Sequence, residues 1–172
     1  NFNQVVKGGD ISILKVVKFG IDNLEYESSS AKLSFTGGED NKSSTLQVDN
    51  YFRMKGANLS FGKSGAAGGG FDELLIYEYQ GNTNFILDNG KLNVKDVIDL
   101  TIDLQYAKKA NEEYLSVGGS AKILKQYSGT AYGKIGERDG DATWGFYADV
   151  GGLKISLAGP LMLDNIGAGF FY

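Results

Sequence analysis

The sequence predicts an all-β fold, a mainly antiparallel sheet built as a β-sandwich or an elongated layered architecture, with at most one short helix. Three observations carry this reading. Twenty-five glycines stand against one proline, beside ten tyrosines and ten phenylalanines, which is the composition of strands and turns. In "VIDLTIDLQYA" the residues Ile98, Leu100, Ile102, Leu104 and Tyr106 alternate with Asp99, Thr101, Asp103 and Gln105, the period of a half-buried strand with one wet face. Dipeptides that tolerate positive φ, Asn89-Gly90, Gly81-Asn82 and Asp139-Gly140, separate the apolar runs.

The N-terminal third reads as strands over about 11–19, 31–36, 45–54 and 57–62, divided by "SSS", "TGGEDNKSS" and glycines. Next, Gly81-Asn82 predicts a hairpin pairing Tyr77 with Ile86 and Tyr79 with Asn84. Asn89-Gly90 predicts a second, with Leu87 opposite Leu92 and Phe85 opposite Val94, so that residues 71–94 form a three-strand meander. The stretch "KKANEEYL" (108–115) is the one candidate for a short helix. Asp139-Gly140 predicts a hairpin that sets Ile135 against Trp144 and Gly133 against Phe146. Trp144, Phe146, Ala148 and Val150 then share a face, the alternation resumes at Leu153, Ile155 and Leu157, and Pro160 ends it.

A chain of 172 residues suits one domain, with a possible subdivision into 1–66 and 71–172 around the glycine-rich "GKSGAAGGG". "AKLSF", "ANLSF" and "GKLNV" recur at irregular spacing and express shared strand grammar rather than a repeat.

The inventory excludes much chemistry. With no cysteine and no histidine there are no disulfides, no thiolate or imidazole metal sites and no histidine-dependent triads. A net charge of −4 lacks the basic face that nucleic acid requires. No stretch approaches the length of a spanning helix, and "NFNQVVKGGD" lacks the regions of a signal peptide, so the chain is expected to begin after any targeting segment.

Gly62-Lys63-Ser64 ends like a phosphate loop, but the required first glycine is Ala57, and "GAAGGG" cannot propagate the helix whose N-terminus would face the phosphates. A turn with a solvated lysine is the expectation there. Asp99 and Asp103 share a face but stand about 13 Å apart, beyond either glycosidase spacing. Glu137, Asp139 and Asp141 are weak calcium candidates without the EF-hand order of ligands, and hairpin chemistry accounts for them equally. Tyr77, Tyr79, Tyr132, Trp144 and Tyr147 are the candidate ligand-binding residues, a sugar-stacking platform if they converge and core if they do not. If Tyr132 and Tyr147 pair, they lie on the face opposite Trp144.

The segment "WGFYADVGGLKISLAGPLMLDNIGAGFFY" resembles strand modules of very large repetitive bacterial surface proteins. The resemblance covers the last third and carries no functional residue across. Glycine-rich amphipathic strands, polar turns, acidity and the missing cysteine and histidine fit, with this resemblance, a secreted or cell-surface β module, structural or adhesive, non-catalytic and without a cofactor. One-sided strands at both ends of the chain predict neighbouring modules or subunits met through sheet edges as its partners. The alternatives are a carbohydrate- or ligand-binding β-sandwich and an eight-stranded outer-membrane barrel.

Overall fold

In a computed structural model the chain is described over residues 3–13, 17–36, 43–61 and 66–172. The strands in order are β1 (Asn3–Lys7), β2 (Asp10–Ile13), β3 (Val17–Gly20), β4 (Asn23–Glu27), β5 (Ala31–Thr36), β6 (Ser43–Val48), β7 (Asn50–Phe61) and β8 (Ala67–Tyr79). They continue with β9 (Asn82–Val94), β10 (Ile98–Lys109), β11 (Glu112–Ile123), β12 (Tyr127–Arg138), β13 (Asp141–Gly151), β14 (Ile155–Ala158), β15 (Leu161–Leu163) and β16 (Ile166–Phe171). The fold is all-β and antiparallel, as expected. Twelve strands make one sheet in the order β1-β4-β7-β8-β9-β10-β11-β12-β13-β16, with the β2–β3 hairpin joined to the second half of β7. β1 and β16 stand at opposite ends of that order, so the sheet is open rather than an eight-stranded barrel.

From β7 to β13 the chain is a meander in which each strand pairs with the next. The Asp139-Gly140 hairpin has the predicted register, with Ile135 opposite Trp144 and Gly133 opposite Phe146. Both turn residues take positive φ, 53° and 88°, the geometry that matches the twist of the flanking strands. The preceding hairpin turns one residue earlier than predicted, on Gln80 (φ 53°) and Gly81 (φ 73°), which pairs Tyr79 with Asn82 and Tyr77 with Asn84.

Asn89-Gly90 does not turn the chain. β9 runs through it, and the positive φ of Asn89 (49°) serves a bulge at which the register to β10 shifts between Ile102 and Leu104. The reason is cooperative: β9 pairs along its length with β8 on one side and β10 on the other, and a turn at 89–90 would break both ladders. Leu87 and Leu92 are five residues apart, which in a regular strand puts them on opposite faces. The bulge returns both to one face, opposite Leu104 and Leu100. Asp72 and Asp103 hold it, accepting bonds from the Asn89 side-chain and backbone nitrogens, each at 2.6 Å. Hydrogen bonds from Lys91 and then Asn89 keep the Asp72 carboxyl below its ordinary pKa.

Residues 108–115 are a hairpin rather than a helix: Lys108 pairs with Glu113 and Lys109 with Glu112, and the Lys108 ammonium lies 2.6 Å from Glu113. The expected strand over 11–19 is two strands, β2 and β3, paired from Asp10 opposite Gly20 to Ile13 opposite Val17. Gly62, Lys63 and Ser64 lie outside the described residues. Ala67–Gly70, in the glycine-rich stretch, are the start of β8, paired with β7 and β9. Their glycines admit close backbone approach, since a Cβ on Gly68 would sit 2.8 Å from the Leu59 carbonyl oxygen and one on Gly69 2.7 Å from that of Lys91.

The core lies at one end. The β5–β6 hairpin places Leu33, Phe35 and Val48 on Leu75, Tyr77 and Ile86 of the main sheet, with Leu46, Tyr51 and Tyr79 around them. This end is a two-layer sandwich. Tyr77 is 3% exposed, its ring 5.5 Å from that of Phe35, and burial pushes its hydroxyl up to about 12. The neutral phenol is the form the fold favours, so its stabilisation is complete below pH 10 and is lost as pH rises from 10 through 12. Tyr77 should contribute about 2–3 kcal/mol to the fall in stability seen by urea unfolding between pH 9 and 12, so the fall should be smaller by that amount in Tyr77→Phe; a slope unchanged in that variant would refute the assignment.

Candidate functional site

The five candidate aromatics occupy three places. Tyr77 is buried in the core and Tyr79 packs at its margin, so neither presents a ring to solvent as a platform. Tyr132 and Tyr147 pair across the β12–β13 hairpin, as the register requires. Trp144 stands on the opposite face, stacked on Tyr172 with centroids 6.1 Å apart and planes at 20°. No single platform joins them.

On the Tyr132–Tyr147 face the surroundings are polar. Asp149 accepts from the Thr130 hydroxyl and from Tyr147; the Thr130 bond is the larger cause of its lowered pKa, and the Tyr147 hydroxyl is raised chiefly by the same carboxylate. Lys134 sits 4.1 Å above the Tyr114 ring. A cavity of about 190 Å³ opens here beside Tyr132, Lys134, Thr143 and Phe171.

The carboxylates diverge. Glu137 is paired across the ladder with Ala142, Asp141 with Arg138, and Asp139 is in the turn, its amide donating to the Asn111 carbonyl at 2.9 Å. Glu112 and Arg138 form an ion pair at 2.5 Å nearby. A polar cleft of about 550 Å³ lies between these two hairpin tips, yet among the described residues no three acidic side chains converge as a metal site. Asp99 and Asp103 are likewise committed separately, to Asn93 and to the Asn89 amide.

The feature that single-residue reasoning missed is collective. Registers align Ile102, Gly119, Ala131, Ala148 and Ala168 in one row across β10, β11, β12, β13 and β16. Four residues along the strands, Leu115, Ile135, Trp144 and Tyr172 form a parallel row. Between the two rows lie Val117, Gly133, Phe146 and Phe170. The small residues floor a trough of about 550 Å³ whose lining is almost wholly apolar, and the large ones form a ridge beside it. Nothing covers this face among the described residues: Ile135 is 64% exposed, Trp144 47% and Phe170 65%. From Lys108 onward only Gly145 and Gly151 are buried, so this half of the sheet is a single layer. The exposed apolar area is continuous across the five strands.

The outer edge of the sheet is equally open. Trp144 and Tyr172 exchange both backbone bonds, which makes Phe171, Gly169 and Gly167 the residues whose N–H and C=O groups point away from β13. No strand among the described residues pairs with them.

No family model, curated protein or solved structure matches this chain.

Proposed function

We propose that this chain is a non-catalytic structural or adhesive β module of the extracellular space or cell surface, assembling with neighbouring modules or subunits through its sheet edge. The observation that supports this reading is the unguarded β16. Sheet edges are ordinarily blunted with charge, proline or a bulge. Ile166–Tyr172 contains no charged residue and no proline, and its register to β13 is unbroken. An added strand would meet a regular row of free backbone groups.

The test is Phe171→Pro, which removes an outward N–H without breaking a ladder bond to β13. Sedimentation of the wild type across concentration should show end-on species that this variant lacks. Identical distributions for the two proteins would overturn edge assembly.

Sugar binding is supported by one observation, the small cavity in which Tyr132 and Phe171 lie beside Lys134 and Thr143. Glycan-array binding lost in Tyr132→Ala would favour it, and an array without signal would reject it.

A further inference from the structure

We propose that the apolar face of β10–β13 and β16 is the contact surface of a face-to-face dimer of two copies of this chain. It goes beyond edge assembly, because it uses the broad face of the sheet rather than its rim. The trough and the ridge run parallel, across the strands, and are separated by four residues on every strand, about 13 Å. A two-fold axis parallel to both and midway between them brings the ridge of each copy over the trough of the other. Trp144 then lies over Ala148 of the partner copy, and Ile135 over the partner's Ala131. Such an isologous contact closes on itself.

The axis passes near the middle of the strands, so most of the face is shared. Four strands of about 33 Å and the six-residue β16 of about 20 Å, at about 4.8 Å spacing, give roughly 700 Å² per copy, close to the size of a standard stable interface. Glu113 and Glu137 lie at its border, consistent with an apolar centre inside a polar rim. Two sheets packed this way form the second layer that this half of the molecule lacks, at the ~10 Å spacing of a β-sandwich. The trough has no polar side chain placed to orient a polar ligand, and its match is to the ridge beside it.

The experiment is sedimentation equilibrium of the full chain from about 1 to 100 μM, together with tryptophan emission, which reports Trp144 alone. We expect a dimer of the 18.5 kDa chain and a blue shift of emission as the dimer forms. Ala131→Arg, which fills the trough with charge, should weaken dimerisation at least tenfold, and Ile135→Lys, at an exposed ridge position, should do the same while retaining the far-UV spectrum and urea midpoint. A monomer at 100 μM with concentration-independent emission overturns the proposal. So does a dimer that survives both variants but is lost in Phe171→Pro, which would assign association to the edge. Co-flotation of monomers with phosphatidylcholine vesicles would overturn it in favour of a hydrocarbon partner.

Discussion

Leu75→Ala should cost about 3–5 kcal/mol and should be among the most damaging truncations at the described residues. Leu75 is fully buried at 0% exposure in the cluster where the β5–β6 hairpin packs on the main sheet. Removal leaves a cavity that the ladders on either side, to Arg53 and to Ile86, prevent from collapsing. Urea unfolding should show the loss directly. Because the single-layer half has no comparable buried side chain, Phe146→Ala should cost less than half as much in the monomer. Equal losses at the two sites would mean that the sandwich end is not the stabilising centre.

The second large effect is expected at Arg53, a buried guanidinium that joins four strands. It lies 3.5 Å from Glu25 on β4 and 2.8 Å from Glu73 on β8, donates to the Ser34 carbonyl on β5 at 2.5 Å, and faces the Tyr51 ring at 5.8 Å. Taking its charge away strands two carboxylates with side chains only 19% and 17% exposed. Arg53→Met is therefore expected to destabilise by about 3–5 kcal/mol, and adding Glu73→Gln should return part of it, since an uncompensated buried charge is the main cost. A double variant as unstable as the sum of the singles would show that Arg53 acts by packing alone.

What could be read from the sequence was what is local. Asp139-Gly140 gave the right register because a two-residue turn with two positive φ values leaves no freedom to the strands it joins. Gln80-Gly81 was missed by one residue because Gln80, an unexceptional residue, takes the positive φ that Asn82 was expected to supply. Asn89-Gly90 was misread because the same dihedral serves a turn or a bulge, and only pairing on both sides of β9 decides between them. Tyr77 looked available for stacking for a similar reason: what buries it is a hairpin more than 25 residues upstream in the chain. The trough was within reach once one register was known, since Trp144, Phe146, Ala148 and Val150 already share a face. Its floor and ridge, however, exist only when five strands are laid side by side.

The meander from β7 to β13 has a mechanical consequence. Each strand from β8 to β12 is bonded only to the ones before and after it and joined to them by tight connections, so tension applied to the C-terminal end, once β16 has parted from β13, loads this part of the ladder one strand at a time. Such a structure should peel, β16 first and then hairpin by hairpin, at low and evenly spaced forces, until the sandwich end resists as a block. Among ladder-bonded amides, exchange at rest should follow the same gradient, fastest at Ala168 and slowest around Leu75.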